Sequence, residues 1–117
     1  MRETVLVVDD HQAFRASTRA LLDSAGFDVV GEAATGTDAI LAATRLLPDL
    51  VLLDIRLPDI DGFEVARQLS ELADPPDVIL VSSRDAVTYG SRLADAPARG
   101  FLAKGEISGS ALRRLLT

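Results

Sequence analysis

Residues 5–10 read VLVVDD, four apolar side chains in a row followed by two carboxylates, Asp9 and Asp10. A run that is apolar at every position, rather than at every second one, is the pattern of a parallel strand covered on both faces. The adjacent carboxylates at its end repel one another, so the pair needs either open water around it or a cation to hold. The strand therefore delivers negative charge to one edge of the sheet it joins.

Two more runs share this pattern, LVLL at residues 50–53 and VILV at residues 78–81. With VLVV they belong at the centre of a sheet. DVVGE at residues 28–32 is more polar and fits an edge, and GFLA at residues 100–103 has the length of a fifth strand. Helical periods lie between them. Phe14, Thr18, Leu21, Leu22 and Ala25 form one apolar face over residues 13–25, stopping at Gly26. Ile40, Ala43 and Leu47 mark a second helix ended by Pro48. Val65, Ala66, Leu69 and Ala73 mark a third, beginning near Asp61 and Gly62 and ending before Pro75. A fourth, over residues 85–94, contains the poor helix formers Thr88 and Gly90 and is expected to be the most mobile. The last, residues 107–116, turns Ala111, Leu112, Leu115 and Leu116 inward. Strand and helix thus alternate five times. This predicts an α/β fold, a five-stranded parallel sheet doubly wound by helices on both faces, since right-handed crossovers must cover it. Residues 1–117 are expected to form a single domain.

Composition narrows the function. The chain has no cysteine and one histidine, His11, which excludes disulfides, thiolate zinc sites and a histidine metal cluster. Any metal is held by oxygen. A net charge of -6, without a Lys/Arg stripe, opposes direct contact with nucleic acid. No apolar run has the length of a membrane span and the first residues lack a secretory signal, so no membrane partner and a cytoplasmic location are expected.

In open parallel sheets the functional crevice lies beyond the carboxyl ends of the strands. There the sequence places Asp9 and Asp10, then Asp54, then Ser82 and Ser83, then Lys104. Adjacent strands are only about 4.8 Å apart, so carboxylates more than forty residues apart in sequence can converge. Three clustered carboxylates favour a hard divalent ion, best Mg2+, while Lys104 and Ser82 add a positive charge and a hydroxyl donor. Such a set suits a tetrahedral anion attached to, or approaching, a carboxylate.

VVDD, LLDIRLPDIDG, VILVSS and GFLAKG, in this order and spacing across almost the whole chain, resemble the response-regulator receiver domain of two-component signalling. The opening is most similar to receivers of the subfamily with helix-turn-helix outputs. The resemblance implies a flavodoxin-like sheet of strand order 2-1-3-4-5, and a signalling module rather than a classical enzyme. It implies that Asp54 accepts a phosphoryl group from a histidine kinase, and that Asp9, Asp10, Asp54 and the backbone carbonyl of Arg56 hold Mg2+. Ser82 would be the switch hydroxyl, Lys104 its counter-charge and Phe101 the aromatic that turns inward. Arg56 and Arg84 occupy the variable positions that influence phosphate lifetime. The output, by the same resemblance, is control of transcription, expressed on the surface around helix four, strand five and helix five. Ending in LRRLLT as helix five finishes, the chain is expected to be either a single-domain receiver or, by preference, the receiver portion of a DNA-binding regulator, and a homodimer through helix faces is a further partner to test.

Two departures from the family pattern stand out. Lys104 is followed by Gly105 rather than proline, which removes the reason to expect a cis peptide there. Pro97 stands where the family has glycine, so the turn after helix four must close differently. Blander roles compete at several positions: Ser82 and Ser83 as helix caps, His11 as a surface or capping residue, Phe101 as core, and Asp59 and Asp61 as turn and helix-start residues. Two rival functions remain open. A phosphorylation-independent interaction or dimerisation module would use the same fold. An aspartate-nucleophile phosphatase would want an acid two residues after Asp54, where Arg56 stands.

Overall fold

The computed structural model describes residues 2–117. Five parallel strands, β1 (Thr4–Val8), β2 (Asp28–Ala33), β3 (Leu50–Asp54), β4 (Asp77–Ser82) and β5 (Gly100–Ala103), form one sheet in the order β2-β1-β3-β4-β5. The α/β, doubly wound expectation and its strand order hold. The polar second strand is at an edge, as its composition requires, while β1, β3 and β4 lie inside. β1 and β3 run in continuous register from Val5 opposite Leu50 to Val8 opposite Leu53.

Period-two alternation divides each apolar strand between two cores. Leu6, Val8, Val51, Leu53 and Leu80 face α2 (Gly36–Leu46) and α3 (Gly62–Ser70), which bury Ala39, Ala42, Ala43, Val65, Ala66 and Leu69. Val5, Val7, Leu50, Leu52, Ile79 and Val81 face the other way, toward α1 (Gln12–Ser24) and α5 (Gly109–Leu116), with Leu22 and Leu112 fully buried. Each such leucine contributes about 2 kcal/mol through area removed from water. The helices cover both faces because both faces are apolar.

Several helix expectations need correction. Leu21 and Leu47 do not face the core: Leu21 is exposed, and Leu47 is the left-handed residue (φ 49°) that ends α2, which turns its side chain out. The third helix stops at Ser70 and the fifth begins at Gly109, where the Ser108 side chain accepts from the Ala111 amide. Ile107 is buried ahead of the helix rather than in it. The fourth helix is not continuous. A 3-10 turn at Ala86–Thr88, capped by Asp85, gives way at Gly90 (φ 55°) to the five-residue α4 (Ser91–Asp95). A positive φ is strained for any residue with a Cβ, so Gly90 is where the chain can break direction. After α4, Ala96 is extended, as a residue before proline must be, and the Ala98 amide donates to the Ala96 carbonyl at 2.8 Å across Pro97. That three-residue turn is the different closure the proline demands.

Candidate functional site

β1, β3, β4 and β5 end at one edge, and the sequence-predicted residues meet there. Among the described residues the buried polar or charged ones are Asp9, Thr18, Asp54 and Ser82, and all but Thr18 belong to this edge. Burial of charge without compensation is costly, so these side chains must be explained by what surrounds them.

Lys104 supplies most of the compensation. It follows β5 on a short 3-10 turn (Lys104–Glu106), whose Glu106 carboxylate accepts from the Ala103 amide and fixes the strand's exit. Its Nζ lies 2.6 Å from Asp9 Oδ2 and 3.4 Å from Asp54 Oδ2, over the face of Phe14 at 4.4 Å. Asp9 Oδ1 accepts from the His11 amide at 2.8 Å and lies 3.1 Å from His11 Nδ1. Burial works against the Asp9 charge, but the ammonium and the amide outweigh it and hold its pKa below the usual carboxylate value. Asp54 goes the other way. Burial first, then the neighbouring Asp9 charge, push it up to about 6, although Lys104 and the Arg56 amide, 3.3 Å from Oδ1, oppose the shift. The two carboxylates together hold the lysine pKa above its ordinary value against the desolvation that would lower it.

The donor set fits a hard cation. Asp9 Oδ2 is fully buried and has no hydrogen-bond partner among the described residues; the lysine faces it as an ion pair without hydrogen-bond alignment. Beside the ammonium, this oxygen keeps lone pairs free for a further positive ligand. One ligand atom each from Asp9, Asp10 and His11 lies within 4.8 Å of the others. His11 is an exposed residue at the N-cap position of α1, as expected, but its side chain makes no cap bond and lies beside the Asp9 and Asp10 carboxylates instead. Asp54 is connected to Asp9 through the shared lysine, outside that trio.

Ser82 caps no helix. Its buried hydroxyl accepts from the Arg84 amide at 3.1 Å and pairs with the Tyr89 hydroxyl at 2.6 Å. Ser83 is exposed and the caps of the following turns are Asp85 and Gly90. Phe101 is half-buried on β5, its ring centroid 6.2 Å from that of Tyr89. Arg56 and Arg84 are exposed and line, with Asp10, Asp54 and Lys104, a cleft of about 350 Å³.

Four contributors escaped the sequence reading of the site. Tyr89 is the partner of Ser82, and Phe14, read there only as part of an apolar face, underlies Lys104. Arg15 donates to the Asp9 carbonyl at 2.7 Å while its Nε is held by Glu32 at 3.0 Å, which braces the loop after β1. Asp59 is more than a turn residue: it accepts from the Gly36 and Thr37 amides and the Thr37 hydroxyl, tying the loop after β3 to the start of α2. These amides hold its pKa well below the usual carboxylate range. Asp61 behaves as expected, capping α3 by accepting from the Glu64 amide at 2.9 Å.

The chain is similar to known proteins along almost its whole length. The profile of the response regulator receiver domain matches residues 5–116. The response regulator GacA of Pseudomonas aeruginosa is 42% identical over 104 residues, 86% of this chain and 48% of that protein. BvgA, a virulence-factor transcription regulator of Bordetella pertussis, is 36% identical over 106 residues, 91% of this chain and 51% of that protein. The chain therefore spans about half the length of the curated relatives it matches. Among solved structures, the signal receiver domain of NarL from Mycobacterium tuberculosis superposes with a TM-score of 0.84 at 34% identity, covering 98% of this chain and 93% of that one.

Proposed function

We propose that this chain, which belongs to the response regulator receiver domain family, accepts a phosphoryl group on Asp54 from a partner histidine kinase and answers with a change of conformation. Membership of that family makes it a signalling module of two-component systems rather than a classical enzyme. The observation that carries the phosphoacceptor reading is the convergence of buried Asp54, buried Asp9 and Lys104 at the carboxyl edge of the sheet. A pKa raised to about 6 still leaves Asp54 mostly ionised at neutral pH, as a nucleophile must be.

In the reaction a carboxylate oxygen of Asp54 forms a bond to phosphorus as the bond from phosphorus to the histidine nitrogen breaks. That nitrogen keeps the electron pair, and the imidazole recovers its proton from water. Asp9, Asp10, Asp54 and the Arg56 backbone carbonyl are the residues that would hold magnesium, which when bound supplies positive charge to the phosphoryl oxygens. Lys104 already stands 3.4 Å from Asp54 and supplies the fixed countercharge. Ser82 then donates its hydroxyl proton to a phosphoryl oxygen, and Phe101 turns inward behind it. The ligand favours whichever conformer makes these bonds, so the output is a population shift on the face of α4, β5 and α5. Its consequence is control of transcription through an output domain, with residues 1–117 acting as one receiver domain that touches no nucleic acid itself.

Intact-mass measurement after incubation with a small phosphodonor and magnesium tests this reading. A gain of one phosphoryl group, lost in Asp54→Asn, supports it. No gain favours an interaction or homodimerisation module, and steady phosphate release from unrelated monoesters favours a phosphatase.

A further inference from the structure

We infer that Tyr89 is the positioning residue for the switch hydroxyl: its own hydroxyl holds Ser82 in the resting state and is released when Ser82 turns to the phosphoryl group. The inference rests on Asp54 being the phosphoacceptor, and it names the element through which that event reaches α4. A serine hydroxyl has one proton and two acceptor lone pairs. Here the buried Ser82 oxygen accepts from the Arg84 amide at 3.1 Å and shares a hydrogen bond of 2.6 Å with Tyr89. Phosphoryl oxygens can only accept, so Ser82 must point its proton at them. We take Ser82 as the donor in its bond to Tyr89, so that its single proton is committed there, and a serine donating to Tyr89 and a serine donating to the phosphoryl group are alternatives.

The position of Tyr89 makes the exchange consequential. Its ring packs edge-on against Phe63 of α3, with centroids 5.7 Å apart, and lies tilted against Phe101 of β5 at 6.2 Å. Phe101 has no hydroxyl, so of these two rings Tyr89 is the one that can bond Ser82. In sequence Tyr89 follows the 3-10 turn and precedes Gly90, whose φ of 55° is the hinge into α4. One turn later Arg92 stacks on the Phe63 ring at 4.2 Å and pairs with Asp61 at 2.8 Å. α4 is thus tethered at its N-terminal end to this aromatic cluster, through Tyr89 and Arg92, and Ser82 controls one of the two tethers.

Tyr89 is the chain's single tyrosine and there is no tryptophan, so tyrosine absorbance and fluorescence report this hydroxyl alone. The full chain is treated with a small phosphodonor and magnesium while mass and tyrosine spectrum are followed together. The spectrum is expected to shift with the phosphoryl gain, and Ser82→Ala is expected to show a shifted spectrum before any donor is added. Tyr89→Phe keeps the ring and removes the competing bond, so its phosphoryl uptake should rise roughly fivefold, the worth of one neutral hydrogen bond. In a Ser82→Ala background that advantage should vanish. Phosphoryl gain with an unchanged tyrosine spectrum overturns the inference and leaves the phosphoacceptor reading standing, as does a Tyr89→Phe acceleration that persists without Ser82. Absence of phosphoryl gain overturns the reading and the inference with it.

Discussion

Lys104 Nζ and Asp9 Oδ2 lie 2.6 Å apart, closer than the 3.4 Å that separates the same nitrogen from Asp54 Oδ2. The resting lysine is thus anchored to the neighbour of the phosphoacceptor. Burial and the neighbouring Asp9 charge push the Asp54 pKa up, and the more distant lysine does not offset them, whereas at Asp9 the close ammonium and the His11 amide outweigh burial and hold the pKa down.

Removing the lysine should expose what it offsets. Lys104→Met leaves two buried carboxylates without their cation and is expected to cost about 2 to 3 kcal/mol at neutral pH, the lower end for a broken buried pair because the lysine is partly exposed. Urea unfolding measures it. Added magnesium should recover part of the loss, since a ligand that binds only the folded chain stabilises it. Unchanged stability in the absence of magnesium would remove the lysine from its assigned role.

Asp54 gives stability a pH dependence of definite sign. Its folded pKa, about 6, lies above the unfolded 3.8, so between these values the folded chain binds more protons and stability falls as pH rises. The penalty is absent below the unfolded value and complete above about pH 6. Asp54→Asn should therefore be more stable than the parent at pH 7.5, by about 3 kcal/mol, with the advantage shrinking toward pH 4. Asp9, with a lowered pKa, acts oppositely and lower: its stabilisation is present above pH 3.8 and lost on further acidification. Denaturation midpoints of the two chains across this range decide the matter, and an advantage that grows toward pH 4 would contradict it.

Much of this site was legible because strand ends are legible. Three wholly apolar runs identify the sheet's interior, and the residue after each lies at the functional edge by topology alone. What the sequence hid depends on long-range contact. Asp59 looks like a turn residue in RLPDIDG because its partners, Gly36 and Thr37, lie more than twenty residues away. Tyr89 sits in a segment whose helical period suggests one helix, whereas the chain breaks at Gly90 and the Tyr89 hydroxyl meets that of Ser82. Leu21 and Leu47 match the apolar spacing but lie at the margin and the end of their helices.

Gly62 shows how tightly α3 meets the acceptor strand. Its amide donates to the Ile55 carbonyl at 2.7 Å, and a Cβ there would stand 2.5 Å from the Asp54 carbonyl oxygen and 2.7 Å from Ile55 Cα. Neither is a side-chain atom that can swing away. Gly62→Ala should destabilise the chain by about 2 kcal/mol, as overpacking does, and slow phosphoryl uptake by displacing Asp54. Wild-type stability and uptake in this variant would contradict the close approach.

Arg56 and Arg84 are exposed beside the acceptor cleft and make no side-chain hydrogen bond or ion pair among the described residues. Such residues contribute little to folding, so Arg56→Ala and Arg84→Ala should each change stability by no more than about 0.5 kcal/mol. Their effect is expected on the rate at which the phosphoryl group is lost, followed by mass after donor removal. Unchanged rates in both variants would sink the assignment.

The most direct measurement is the position of the acyl phosphate. Borohydride reduces an aspartyl phosphate to homoserine and leaves ordinary carboxylates and phosphate esters intact, so peptide sequencing by mass after phosphorylation and reduction marks the acceptor. Homoserine at position 54, and at neither 9 nor 10, is the result expected here. Homoserine at another aspartate, or a phosphoryl group that survives reduction on Ser82, would contradict it.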